Sequence, residues 1–465
     1  GVRRRRPGQD DRHPGQGGLH GHAWLAVAGE PVFETSPHVA EVYRETYRYP
    51  VPASPATGGR TVRTGQHEAE ADRRGDHHPE ARRTRRSGVA EPESPRTVRA
   101  RLLAACARTR IDSAAARNIA QLADRRIDWQ AFLREARSHG VLPLVARNLA
   151  AHADDRLPAS VSEKISAWSR GQAARNTLMF ATLADALSRL ESAGLKGIPV
   201  KGPTLAIRAY DSVCLRQFSD LDILVRKADV PELVRVLEAA GYRHLKTGKA
   251  WKYVKFSPPV GGCHLDLQWG MAPDWYRFPL DFEAARARAC RRDVGGRSLW
   301  QLSDEDMLQL LCGHATKHCW SKLGWIADLN EFVGRHGTSL PWDRVLFEAN
   351  RNGGRRQLLL GLVLTRDVLG SKLPEPVEAS IFADRRLEGL AAEVRRRLVA
   401  GHDTLLATCG AFSARQRWAF QIRTRERWGD RMAYTRHLLA RRSARRQIAR
   451  GVLRAGRQAV SREPA

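Results

Sequence analysis

The sequence predicts an α+β protein, in which a small mixed β-sheet lies between two helical regions. Apolar residues recur at helical spacing over residues 98–193 and again over residues 301–465. Between these regions, the segments 252–256 and 264–269 alternate apolar and polar residues, as half-buried strands do. The change of period therefore predicts a sheet region at 194–300, with a helical lead-in before it and a helical domain after it.

The first 97 residues differ in composition from the rest of the chain. They are basic and rich in Pro, Gly, His and Arg, as in residues 12–18, and they have few periodic apolar positions. Such a segment buries too little apolar surface to offset the entropy of folding. We therefore expect residues 1–97 to be disordered, and part of them to be upstream sequence translated from a misplaced start.

A long helix is the main element predicted in the lead-in. Residues 160–192 carry apolar side chains at helical spacing, with Leu178 and Leu187 placed on the buried side, and Gly194 ends the helix. Before it, Asp128 stands where an N-cap is expected, directly ahead of another helical stretch. These signals predict that helices lead into the sheet region.

Length and composition exclude several classes of protein. The 465 residues are enough for two or three domains with real cores. No apolar run approaches the roughly 18 residues of a transmembrane helix, and no apolar stretch follows the N-terminal arginines as it would in a secretory signal. The seven cysteines are scattered without a paired spacing, which indicates reduced thiols. We therefore expect a cytoplasmic protein.

The chain carries a large positive charge, and two interpretations of it remain open. The formal net charge is +28, and residues 415–465 are especially rich in arginine. Only 11 of the 78 basic residues are lysine, which is typical of GC-rich coding. The alternative is attraction to a polyanion such as a nucleotide, RNA or a membrane surface. Contact with nucleic acid through the basic C-terminus is therefore a second expectation.

Two carboxylates stand one residue apart in the sheet region. Asp220 and Asp222 flank Leu221, and the apolar run 223–225 follows directly. On a strand, side chains at i and i+2 share a face, so both acids project together. They repel each other unless a cation joins them, and hard divalent metals such as Mg²⁺ suit oxygen ligands. A metal site with phosphoryl or nucleotidyl chemistry is the prediction; a solvated strand edge is the alternative.

The order of elements around this pair resembles the minimal palm of the DNA polymerase beta-like nucleotidyltransferase superfamily. The sequence reads strand, Lys201-Gly202 turn, helix, Asp-x-Asp strand, helix, and then two strands, the last carrying Asp266. In that superfamily, a glycine-containing turn holds the nucleoside triphosphate, an Asp-x-Asp pair binds two metals, and a third carboxylate completes the site. The resemblance therefore implies an α+β palm with helical flanks.

Three motifs are similar, in order and spacing, to a family of uncharacterised bacterial nucleotidyltransferases. They are Gly-Ile-Pro-Val-Lys-Gly at 197–202, Arg-x-x-x-Asp-x-Asp-x-Leu-Val at 216–225 and Asp-Leu-x-Trp at 266–269. The resemblance covers roughly residues 98–435. It implies an enzyme that transfers a nucleoside monophosphate from a triphosphate such as ATP to an unknown acceptor hydroxyl, which belongs to a small molecule, RNA or protein.

The resemblance also implies a role for each candidate residue. Asp220, Asp222 and Asp266 would be catalytic and would hold a two-metal Mg²⁺ site, with Asp266 nearest the acceptor. Lys201, Gly202 and Arg216 would bind the nucleotide. The wider superfamily has Gly-Ser in the first turn; here Lys201 would replace the serine as a point charge on the phosphates.

Two other functions are kept as alternatives. The first is a toxin-like nucleotidyltransferase that modifies tRNA or protein. The second is a non-catalytic module that binds nucleotides or RNA. Three converging carboxylates argue against the second, because a binding module has no need of them.

The segment 312–319 contains two cysteines and two histidines, which suggests a zinc site. A helix advances about 100° per residue, so Cys312 and Cys319 share a face while His314 and His318 lie well round from it. One helix cannot direct all four at one metal. We expect the histidines to line the active-site side or to support packing, and Trp320 and Trp325 to be core residues.

Overall fold

The computed structural model describes residues 26–27, 30–31, 95–259, 263–400 and 413–440. The disorder predicted for residues 1–97 concerns a segment that lies almost entirely outside this part of the chain, as does the basic tail from residue 441 onward. No helix in the described part is both long and apolar enough to cross a membrane.

The lead-in is helical, as predicted. Its helices are α1 (Pro95–Cys106), α2 (Ser113–Ala123), α3 (Trp129–Ser138), α4 (Leu142–His152) and α5 (Ala159–Ser192). Asp128 caps α3, because its carboxylate accepts a hydrogen bond from the backbone N–H of Ala131. One expectation is wrong: Leu178 on α5 is 42% exposed. The buried stripe runs through Asn176, Met179 and Leu183, and Leu178 points away from it.

A five-stranded mixed sheet forms the centre of the predicted palm region. Its strands lie in the order β3-β4-β7-β6-β5, and only the β4–β7 pair is parallel. The α+β prediction is therefore confirmed. The strands are β3 (Ile198–Pro199), β4 (Asp220–Leu224), β5 (Arg243–Gly248), β6 (Tyr253–Ser257) and β7 (His264–Gln268); β1 (Ala26–Val27) and β2 (Glu30–Pro31) form a separate pair.

Two helices connect the strands around the predicted site. Helix α6 (Gly202–Tyr210) follows β3, and α7 (Val230–Ala239) follows β4. After β7, α8 (Phe282–Arg288) precedes a two-stranded antiparallel ladder of β8 (Cys290–Asp293) and β9 (Ser298–Gln301). The sequence patterns did not predict β5, β8 or β9. The residues of β5 and β8 are mostly exposed, whereas Leu299 and Gln301 of β9 are buried.

The five-stranded sheet has one apolar face and one polar face. The apolar face packs against α5 and α7 in a shared core. Burial of each large apolar side chain on this face contributes about 1.5–3 kcal/mol of transfer free energy, which fixes the sheet on the two helices. Because strand side chains alternate, the polar partners on β4 and β7 must project from the other face. The apolar face is formed by Leu221, Ile223, Val254, Phe256, Leu265 and Leu267.

The C-terminal part is helical and packs around one buried helix. Eleven of the fifteen residues of α12 are buried, among them Leu358, Leu360 and Leu362. Gly361 lets α12 approach Trp320, which is fully buried as predicted. The helices are α9 (Asp304–Lys317), α10 (Leu323–His336), α11 (Trp342–Arg351), α12 (Arg355–Leu369), α13 (Glu375–Ala383), α14 (Arg386–Ala400), α15 (Ala414–Thr424) and α16 (428–440).

A buried ion pair joins α10 to the loop before β4. The guanidinium of Arg216 donates from Nε to Oδ1 of Asp328 at 2.8 Å and from its second nitrogen to Oδ2 at 2.9 Å. Tyr210, at the end of α6, donates its hydroxyl to Oδ1 of Asp328 at 2.8 Å. Both charges are shielded from water, so either one alone would be costly.

We expect Asp328→Asn to lower the free energy of unfolding by about 3 kcal/mol, because it leaves the Arg216 charge buried without a counter-ion. Urea denaturation followed by circular dichroism measures the loss. Glu232→Gln, which breaks an exposed ion pair on α7, is the control and should leave the unfolding curve nearly unchanged. Equal curves for the two variants would contradict the importance of the buried pair.

Candidate active site

Three carboxylates meet on the polar face of the sheet. Asp220 and Asp222 project together from β4, and Asp222 lies directly opposite Asp266 in the parallel ladder with β7. One carboxylate oxygen from each of the three lies within 4.8 Å of those of the other two. The structure thus brings together the three acids that the sequence proposed, two from one strand and one from its neighbour.

The three acids differ in their access to water. Asp220 is half-buried at the start of β4, whereas Asp222 and Asp266 are only 4% and 8% exposed. Loss of hydration disfavours the charged form, so burial raises the pKa of Asp222 and raises that of Asp266 to about 6. The neighbouring acids raise both pKa values further. The site therefore concentrates negative charge, and at Asp222 and Asp266 water does little to stabilise it.

Two lysines partly compensate this charge. Nζ of Lys201 lies 2.6 Å from Oδ2 of Asp222, and Nζ of Lys255 lies 3.0 Å from Oδ1 of Asp266. Gln268 donates a side-chain hydrogen bond to Oδ1 of Asp222. Each lysine lowers the pKa of the acid that it contacts, against the effect of burial. Two ammonium groups thus face three carboxylates.

Sequence reasoning missed Lys255 and Gln268. Gln268 stands two residues after Asp266, so the strand period alone places its side chain on the same face. Lys255 pairs with Asp266 across the antiparallel β6–β7 ladder, and side chains in such directly opposed pairs share a face. The strand period that places Gln268 on this face could be read from the sequence. The position of Lys255 could not, because it depends on the register of two strands separated by a turn.

The Lys201-Gly202 turn lies directly against the strand that carries the acid pair. Gly202 has a φ of +58°, which L-residues with a side chain rarely adopt, and it begins α6. A Cβ added there would lie 3.3 Å from the carbonyl oxygen of Asp220. Both constraints favour glycine and bring the N-terminal turn of α6 up to the acids.

Arg216 contacts a carboxylate outside the trio. Its guanidinium forms the two-point ion pair with Asp328 on α10 described above. No sequence pattern pointed to this partner, which is 112 residues away along the chain. A direct contact between Arg216 and a triphosphate stays a prediction; in this structure the side chain holds the loop before β4 against α10.

The C-terminal end of α9 faces the acid site. The rings of His314 and His318 lie 4.9 Å apart, and Trp325 contacts both. Burial, reinforced by nearby lysines, lowers the pKa of His318 to about 3 and that of His314 well below its ordinary value. Lys201 is one of the cations acting on His314, so this histidine pair is electrostatically coupled to the acid site.

The zinc interpretation of this segment finds no support in the described part of the chain. Among the described residues, the one group of acids, histidines or cysteines with a spacing suited to a metal ion is Asp220, Asp222 and Asp266. Cys312 is fully buried among apolar residues and its thiol points at the carbonyl oxygen of Leu358.

Residues 125–370 match a family model described as an uncharacterised nucleotidyltransferase. The protein belongs to this family. It is therefore an enzyme of the nucleotidyltransferase class, and the family resemblance drawn from the motifs is confirmed. All six site residues predicted from the sequence fall within the matched segment of this nucleotidyltransferase. No curated protein matches the chain.

Two solved structures share limited similarity with this nucleotidyltransferase. One is a solution structure of the antibiotic-resistance factor ANT(2'')-Ia, at 16% identity and a TM-score of 0.29, covering 38% of this chain and 91% of that one. The other is a crystal structure of ANT(2'')-Ia in complex with adenylyl-2''-tobramycin, at 18% identity and a TM-score of 0.27, covering 38% of this chain and 97% of that one.

We expect Gly202→Ala to destabilise the turn by about 1–2 kcal/mol, because alanine is strained at positive φ. The new methyl group would also press on the Asp220 carbonyl. Thermal unfolding measures the change. Gly389→Ala on α14 is the matched control: its Cβ would meet no atom within 4 Å, and alanine there should stabilise the helix by up to about 1 kcal/mol. Two variants that shift the melting temperature alike would refute the special role of Gly202.

Proposed function

We propose that this enzyme transfers a nucleoside monophosphate from a nucleoside triphosphate to an acceptor hydroxyl, using Mg²⁺ held by Asp220, Asp222 and Asp266. One observation carries the proposal: three carboxylates from two adjacent strands have oxygen atoms within 4.8 Å of one another. Membership of a nucleotidyltransferase family supports the reaction type.

The residues fit a hard divalent cation. The site offers carboxylate oxygens, which Mg²⁺ prefers. Two of the acids are buried, and Oδ1 of Asp266 is in ion contact with Lys255 but accepts no hydrogen bond of good geometry in the described part of the chain. When bound, Mg²⁺ lowers the pKa of the acceptor hydroxyl and neutralises the charge of the leaving pyrophosphate.

Lys201 and Gly202 are proposed to bind the phosphates of the donor. Gly202 starts α6, and the N-terminus of a helix presents backbone N–H groups and a positive dipole end to anions. The Lys201 ammonium reaches from this turn to Oδ2 of Asp222 at 2.6 Å, and it can neutralise charge on a triphosphate bound there. Arg216 supports Lys201 and Gly202 indirectly, because its ion pair with Asp328 holds the loop before β4. The proposal also keeps the predicted direct contact of Arg216 with a phosphate.

Asp266 is proposed to act on the acceptor side. Its carboxylate stands on the strand next to the acid pair and would take up the proton of the acceptor hydroxyl. In the reaction, the acceptor oxygen forms a bond to the α-phosphorus, the bond from that phosphorus to the bridging oxygen breaks, and pyrophosphate leaves. The hydroxyl proton passes to Asp266 and then to water.

The decisive experiment measures transfer of label from α-³²P nucleoside triphosphates, ATP first, in the presence of Mg²⁺ and a lysate. We expect labelled product and pyrophosphate, both abolished by EDTA. Asp222→Asn should lower the rate by about two orders of magnitude or more, because it removes a buried anionic ligand. Asp229→Asn, which changes an acid outside the site, should keep the wild-type rate. Label transfer that survives Asp222→Asn unchanged would argue for a binding module instead.

Mg²⁺ affinity should rise with pH up to about 7 and then level off. The pKa of Asp266 is raised to about 6, so the proton is bound below that pH and must leave before the carboxylate can serve as a ligand. Each Mg²⁺ bound near pH 6 therefore releases part of a proton. Calorimetric titration in buffers of different ionisation enthalpy measures this release. Asp266→Asn should reduce the proton release, and the remainder would come from Asp222, whose pKa is also raised by burial. A pH-independent affinity in the unmodified protein would contradict the assignment.

A further inference from the structure

We propose that the acceptor is a hydroxyl compound carrying a phosphate group, and that Lys255 and Lys246 bind this phosphate. The inference rests on the proposed function, since it concerns the second substrate of the same site. The observation behind it is a row of four residues that crosses the polar face of the sheet from β4 to β5: Asp222, Asp266, Lys255 and Lys246.

The position of the donor turn defines the two sides of the site. The Lys201-Gly202 turn packs on β4 at the Asp220 carbonyl, next to the β3 edge of the sheet. On the opposite side of the acid pair come β7, β6 and β5 in turn. A donor held at the turn therefore leaves the β7–β6–β5 side, beginning at Asp266, for the acceptor.

The register continues the row on that side with lysines. Asp266 lies opposite Lys255 on β6, and Lys255 lies opposite Lys246 on β5. Directly opposed residues of antiparallel strands project from the same face. Strands are spaced about 4.8 Å apart, so the backbone of Lys246 is roughly 10 Å from that of Asp266. A phosphate a few bonds from the reacting hydroxyl would lie between the two ammonium groups.

The local composition supports a positive subsite. The chain has only 11 lysines, yet four of them are found within 246–255. Lys252 is paired with Asp274 at 2.6 Å, and Lys255 with Asp266. Lys246 forms no ion pair with a carboxylate of the described residues and is exposed. A metal ion held by Asp266 would take over the compensation of its charge, and the Lys255 ammonium would then be able to contact an anion of the acceptor.

Protection of an edge strand is the competing explanation. Lysines on edge strands discourage pairing with other chains, and β5 is the edge of this sheet. That explanation covers Lys246 but not Lys255, which stands on an interior strand with its ammonium on a site carboxylate. A row of lysines would also repel a polycationic acceptor. Charge compensation of Asp266 accounts for the position of Lys255, and a phosphate ester would give Lys255 and Lys246 a shared partner.

The chemical class is tested without knowing the acceptor. A lysate is separated on an anion exchanger, and each fraction is offered to the full-length enzyme with Mg²⁺ and labelled triphosphate. We expect label transfer in the retained fraction, lost when that fraction is first treated with alkaline phosphatase, which is then removed. Ribonuclease treatment distinguishes the sources: label lost with ribonuclease indicates an RNA end, and label that persists indicates a small phosphate ester.

Lys246→Glu tests the subsite itself. Reversing one charge should raise the KM for the retained fraction by roughly tenfold while kcat changes less, because a charge-assisted contact to phosphate is lost. Lys249→Glu, three residues along and outside the row, is the matched control and should keep the wild-type KM. Equal effects of the two variants would indicate a general charge effect and overturn the proposal.

Three further outcomes separate the inference from the proposed function. Transfer of label mainly to compounds in the unretained, neutral or cationic fraction would overturn the phosphate-bearing acceptor while supporting the transferase. Label found only in free nucleoside monophosphate, with both fractions, would also overturn it. Absence of pyrophosphate release with every nucleotide would instead refute the proposed function.

Discussion

The parallel pairing of β4 with β7 is the constraint on which the rest of the site depends. This register places Asp222 opposite Asp266, and the two-residue period of β4 adds Asp220 on the same face. The apolar residues between these acids pack against α5 and α7 on the other face. A shift of one residue would move the carboxylates into that core, so hydrophobic burial fixes the position of the acids.

Holding these acids together therefore costs electrostatic free energy. Burial raises the pKa of Asp222 and Asp266, and Lys201 and Lys255 offset only part of the repulsion. Residual negative charge in a dry site favours binding of a divalent cation. The same two lysines lie on opposite sides of the acids, Lys201 at the turn before α6 and Lys255 on β6, next to β5.

Contacts from the helical region after the sheet help to position the site. Asp328 on α10 holds Arg216, four residues before Asp220, and α9 brings His314 and its neighbours toward Lys201. Arg216 and Asp328 are 112 residues apart along the chain, so their contact depends on how the helices pack. Local patterns such as the Asp-x-Asp strand and the glycine turn were visible because their periods and φ requirements are properties of a few adjacent residues.

The α+β class and the pair Asp220 and Asp222 were predictable from the amino-acid sequence, because strand alternation and buried apolar runs are short-range properties. The resemblance to nucleotidyltransferases, which rests on the order of the motifs, added Asp266 and the Lys201-Gly202 turn. The contacts of Lys255 with Asp266 and of Arg216 with Asp328 could not be predicted in this way. Those pairings depend on strand register and helix packing, which bring together residues that no local pattern relates.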